Sequence, residues 1–118
     1  MFNNNKPIYI QFMDTIRELI IKEEYKTGER LKSVREYALD FKINPNTVQK
    51  ALTELEKEKI IVTDSTNGRY VTKDEKIIKK MKEELVSNIT KEYISNMNNL
   101  GINLEEIKKY LGGIKWIS

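Results

Sequence analysis

The sequence predicts a mainly α protein with one small β-hairpin: three short helices, the hairpin, then a two-helix C-terminal arm. Three observations predict it. Apolar residues recur at three- and four-residue steps in separate stretches before residue 60. Asn67-Gly68 stands between two β-prone runs, a strong hairpin signal. A single long stripe of apolar residues then runs through residues 74–99.

Each element has its own local cause. Pro7 suits the first turn of a helix, where its missing N–H is no loss. Behind it Tyr9, Phe12, Met13, Ile16, Leu19 and Ile20 form an apolar face to about Glu24, and Gly28 in "KTGE" breaks the run. In "LKSVREYALDF", Ser33 and Glu36 have capping-box spacing. The second helix therefore starts at Val34, turns Val34, Ala38 and Leu39 inward and ends near Phe41. The third is the best marked. Asn44 is a favoured N-cap, held extended by Pro45, and Val48, Ala51, Leu52 and Leu55 form one narrow apolar stripe. At about 100° per residue, Asn46, Lys50, Thr53 and Lys57 point the other way, with Thr47 and Gln49 on the flanks. "IIVT" and "RYVT" are the hairpin strands. Residues 74–99 carry Ile78, Met81, Leu85, Ile89, Tyr93 and Met97 on one stripe, and Leu100-Gly101 ends that helix. Asn103 and Glu106 repeat the capping pattern before a last helix closed by Gly112-Gly113. Tyr93 and Trp116 read as packing residues.

Composition narrows the chemistry. The 118 residues include no cysteine and no histidine. That excludes disulfides, the usual zinc sites and Cys/His or Ser/His nucleophiles. No metal site, cofactor site or enzymatic constellation is visible; Glu105-Glu106 complements a helix dipole. The formal charge of +3 is spread evenly: residues 1–72 carry 12 basic and 11 acidic groups, residues 73–118 carry 9 and 7. Charge alone is weak support for a polyanion partner. No apolar run is long enough for a membrane span, and "MFNNNKP" is not a signal peptide, so the expected compartment is the cytoplasm.

A helix meant only for packing needs no nose as polar as Asn-Pro-Asn-Thr. Two helices joined by a tight turn, the second with a polar exposed N-terminus and followed by a hairpin, make a winged helix-turn-helix. Residues 7–72 resemble, without gaps, the DNA-binding domain of GntR-type bacterial transcription regulators. The words that carry the resemblance are "PIYIQFMDTIRELI", "GERLKSVREYA", "INPNTVQKALTELEKEKII" and "NGRYV". The Asn-Pro-Asn-Thr turn, the aromatic after Pro7-Ile8 and the short tail are similar to the YtrA-type branch.

The resemblance implies a division into residues 1–72, which bind DNA, and residues 73–118, a helical dimerisation arm. It places DNA contacts on Ser33 and Arg35, on Asn44, Asn46, Thr47, Gln49 and Lys50, and in the wing on Gly68 and Arg69. It assigns the dimer seam to Ile78, Met81, Leu85, Ile89, Tyr93 and Met97. Lys32, Lys42 and Lys59 depart from the family's proline and two glycines. A non-glycine at a left-handed helix end costs on the order of 1 kcal/mol, which points to a different helix end at Lys59. Thr66 stands where the wing has a second glycine. The implied function is a homodimeric, sequence-specific repressor on a near-palindromic double-stranded operator of its own operon, often with a transporter. The residues point to no particular effector. The alternative is a winged-helix module that binds protein. Arg35, Lys50 and Arg69 of two subunits would neutralise about six phosphates, a log K against log salt slope near −5.

Overall fold

A computed structural model describes residues 2–64 and 68–113; the expectations placed on Thr66, Asn67 and Trp116 lie outside them. The order is α1 (Ile8–Ile21), α2 (Val34–Phe41), α3 (Pro45–Lys57), β1 (Ile61–Asp64), β2 (Gly68–Val71), α4 (Glu75–Asn99) and α5 (Leu104–Gly113). Two compact units result, Met1–Met81 and Lys82–Ser118, with the division inside α4.

The first unit is built on α3, which packs against α1, α2 and β1. Its stripe of Val48, Ala51, Leu52 and Leu55 is fully buried, against Phe12, Met13, Ile16 and Ile20 of α1 and Ile61 and Val71 of the hairpin. Phe12 meets Tyr37 and Phe41 edge to face at centroid distances of 5.2 and 5.1 Å, a favoured aromatic geometry. The buried Tyr37 hydroxyl keeps a partner, the Tyr25 hydroxyl at 2.9 Å. Burial and that bond push its pKa up. On the surface Arg17 ties α1 to the end of α3 through Asp14 and both oxygens of Glu58.

Four expectations need correction. α1 ends at Ile21 and not near Glu24, because Glu23 turns into the left-handed region (φ 63°) and the amides of Glu24 and Tyr25 fold back onto the Leu19 carbonyl. Leu39 does not face inward: it is 71% exposed, and Tyr37 is the buried residue of α2. The cap at Ser33 sets the phase, so Val34, Tyr37, Ala38 and Phe41 share the inner face at steps of three and four. Lys59 does not end α3 differently; it adopts the left-handed φ of 64° itself, as Lys42 does (56°) at the end of α2. Gly28 does not break α1, which has already ended at Ile21. Residues 28–31 pair with β2, through Gly28 N to Val71 O, Val71 N to Glu29 O and Leu31 N to Arg69 O at 2.8–2.9 Å. The hairpin thus gains a short antiparallel bridge, Arg30 opposite Tyr70.

α4 opens on Asp74, whose carboxylate accepts from the Lys76 amide at 2.9 Å. Its first turns belong to the first unit: Met81 is buried in that core and Ile78 packs on it. In the second unit Gly101 turns the chain at φ 78°, and Asn103 caps α5 by accepting from the Glu106 amide at 3.0 Å. Among the described residues no helix is long and apolar enough to cross a membrane.

Candidate nucleic-acid interface

The nose of α3 is closed on itself at the backbone. Pro45 has no N–H, the Asn46 amide donates to Asn44 Oδ1 at 2.7 Å, and the amides of Thr47 and Val48 donate to the Asn44 carbonyl at 2.9 and 3.1 Å. An anion or base edge that meets this helix end must therefore be bound by side chains. Asn46, Gln49 and Lys50 are exposed and Thr47 is half-buried. Gln49 donates to Thr53 Oγ1 at 3.3 Å, a long bond that an incoming partner can displace. The Asn44 amide nitrogen still has two protons to give while its oxygen holds the cap.

Lys50 is not loose. Its Nζ lies 4.0 Å from the centre of the Tyr9 ring, a cation–π contact. Ile8, Tyr9, Asn46, Thr47 and Lys50 line one shallow hollow where the starts of α1 and α3 meet. The sequence reading placed Tyr9 in the apolar face of α1 and missed this; the available signal was a phenol in the first turn, where a helix face is least covered.

At the start of α2 the capping box is complete. Ser33 Oγ accepts from the Glu36 amide and Glu36 Oε1 from the Ser33 amide, both at 3.1 Å. Those bonds, from the Ser33 backbone first, hold the Glu36 carboxyl below its ordinary range. The Ser33 hydroxyl keeps its proton for a further acceptor. Arg35 is exposed and makes no ion pair among the described residues, whereas Lys32 is spent on Asp40 at 2.6 Å.

The wing lies across a groove from this cap. Lys32, Ser33 and Glu36 near the cap and Thr63, Gly68 and Arg69 of the hairpin line it, together with Arg30, which bridges to Tyr70 of β2. A Cβ at Gly68 would come within 3.0 Å of the Tyr70 hydroxyl and 3.1 Å of Arg30 Nε, so those side-chain ends would have to shift to admit one. Arg69 is held by Glu56 of α3 in an ion pair, and the other Glu56 oxygen accepts from Thr63 Oγ1 at 2.7 Å. Burial raises the Glu56 pKa, but the bonds from Arg69 and Thr63 outweigh it, and the carboxyl stays charged below its ordinary value. Arg30, Glu56 and Thr63 were absent from the residues expected at this surface. Their roles depend on contacts distant in sequence.

All nine residues expected at DNA therefore lie in the first unit, on three elements: the cap of α2, the first turns of α3, and β2. Of the six assigned to the arm, Ile78 and Met81 are taken up by the first unit, and Ile89 and Tyr93 are exposed at 58% and 36%. Val86, 54% exposed, extends that row at steps of three and four.

The family description "Bacterial regulatory proteins, gntR family" matches residues 8–71. An uncharacterized HTH-type transcriptional regulator, YhcF of Bacillus subtilis, is 34% identical over 97% of this chain and 92% of its own. The HTH-type transcriptional repressor YtrA of the same organism is 35% identical over 92% of this chain and 84% of its own. Among solved structures, a GntR family transcriptional regulator from Listeria monocytogenes superposes with a TM-score of 0.89 at 37% identity, covering 97% of this chain and all of the other.

Proposed function

The chain belongs to the GntR family of bacterial regulatory proteins and is a DNA-binding transcriptional regulator, not an enzyme; from that premise we propose that it is a homodimeric cytoplasmic repressor of its own operon. Residues 1–72 bind the operator and residues 73–118 form the arm that pairs two copies. The observation that carries this reading is the division of α3. Its stripe of Val48, Ala51, Leu52 and Leu55 is fully buried, while Asn46, Gln49 and Lys50 stand exposed around a nose whose amides are all occupied.

In this reading α3 enters the major groove. Gln49 offers a donor and an acceptor suited to adenine, and Lys50 a charge for guanine acceptors or a phosphate. Asn44, Asn46 and Thr47 bond bases or sugar-phosphate beside them. Ser33 and Arg35 hold the backbone from the start of α2, and Gly68 and Arg69 bring the wing to the adjacent minor groove. The arm pairs through Leu85, Ile89, Tyr93 and Met97, with Ile78 and Met81 anchoring the same helix in each subunit's own core.

The test is a gel shift on the promoter region of the protein's own gene across a salt series. Arg35 and Lys50 of two subunits neutralise about four phosphates, and Arg69 is balanced by Glu56, so log K against log salt should slope near −4. The footprint should be a near-palindrome with half-sites about one helical turn apart. A slope near zero would favour a protein-binding module instead.

A further inference from the structure

One carboxylate of the recognition helix grips both members of a cross-strand pair in the wing. Thr63 and Arg69 face each other in the β1–β2 register. Glu56 Oε2 accepts from Thr63, and Oε1 from Arg69 Nε. The pair is partly shielded, with side-chain exposures of 24% for Arg69 and 30% for Glu56. Glu56 also lies seven residues after Gln49, two helical turns and about 10 Å further along nearly the same face of α3. The groove beside Arg69 is the one bordered by Ser33 at the α2 cap.

We propose that Glu56 is a positioning residue for DNA recognition. It locks the wing to the reading helix at a fixed distance and balances the charge of Arg69, so that Arg69 contributes geometry and not net charge. Nε–H is committed to Glu56, which leaves the four terminal N–H groups of the guanidinium for a phosphate or a minor-groove acceptor. Because the arginine arrives already neutralised, it adds little to binding on arbitrary sequence. Only a site whose groove suits the fixed wing gains from it. Glu56 therefore improves discrimination by lowering non-specific affinity, which is the sequence-independent, salt-sensitive part of binding.

The variant Glu56→Gln tests this with little change of shape, since the amide oxygen can still accept a bond from Thr63. Its affinity for a scrambled duplex should rise several-fold, its operator affinity should not rise with it, and its salt slope should steepen by about 2 per dimer. Adding Arg69→Gln to that variant should return the slope to the wild-type value. Arg69→Gln alone strands the Glu56 carboxylate, so it should weaken operator binding and flatten the slope by up to about 2 per dimer. The proposal is overturned if Glu56→Gln leaves slope and discrimination unchanged. It is also overturned if that variant loses specific and non-specific binding in parallel with a lowered melting temperature, the sign of a purely structural role.

Discussion

Replacing Gln49 with alanine separates reading from folding more cleanly than any other single change. The side chain is exposed, and its one hydrogen bond, to Thr53, is 3.3 Å long. Losing it should alter stability by less than about 0.5 kcal/mol. On the operator the same amide offers paired donor and acceptor contacts, worth about 1–3 kcal/mol for each half-site. Two half-sites double the loss to roughly 2–6 kcal/mol, a weakening of about 30-fold to about 10⁴-fold. Gln49 carries no charge, so the affinity for a scrambled duplex and the salt slope should both stay at wild-type values. Fluorescence anisotropy with operator and scrambled duplexes, beside a thermal melt, measures all three quantities. Operator binding within twofold of wild type, with the melt unchanged, would refute the placement of the reading face on this side of α3. Adding Thr47→Ala should deepen the loss with little further change in the melt.

Three more outcomes are expected. Lys59→Gly should stabilise the protein by about 0.5 kcal/mol: relief of a left-handed backbone, about 1–2 kcal/mol in an L-residue, exceeds the flexibility glycine adds to the unfolded chain. A thermal melt should rise by about 2–4 °C, and an unchanged or lower midpoint would count against strain at that position. Ile89→Glu should yield folded monomers in sedimentation, since Ile89 is 58% exposed in the single chain; a persisting dimer would move the seam elsewhere. Glu36 has its pKa depressed in the folded state, so its contribution to stability is present above the ordinary 4.5 and is lost as pH falls through the lower folded value. The acid limb of a stability-against-pH curve should become shallower in Glu36→Gln, and identical limbs would exclude the capping box as its source.

What could be read in the sequence was what neighbouring residues decide together. Ser33 with Glu36, and Asn44 with Pro45, announce two helix starts because a cap and the amides it serves lie within three residues. The stripe from Val48 to Leu55 could be read from period alone. Leu39 could not, because an eight-residue helix admits more than one inward phase and the aromatic cluster around Phe12 selects the one that buries Tyr37. The bridged stretch at residues 28–31 has no local signature, since its hydrogen bonds are supplied by β2 some forty residues later. For the same reason nothing near Glu56 in the sequence marks it; only the fold brings Arg69 and Thr63 to it. The left-handed turn at Lys59 was misjudged differently. A penalty near 1 kcal/mol is small beside the burial of Leu55, Ile60 and Ile61 on either side of Lys59, so the path of the chain prevails over the preference of one residue.

The occupied amides at the nose of α3 have a consequence over evolutionary time. A helix that greets its target with backbone donors has its preferences built into its geometry, and changing them means rebuilding the helix end. Here the start of the helix is secured by Asn44 and Pro45, and the neighbouring exposed positions add only weak surface contacts, Gln49 to Thr53 and Lys50 to the Tyr9 ring. A duplicated copy of the gene can therefore exchange the residues at Asn46, Gln49 and Lys50, one codon at a time, and arrive at a new operator through intermediates that all fold. Lineages that multiply such regulators are expected to vary at these three positions while keeping the cap and the buried stripe.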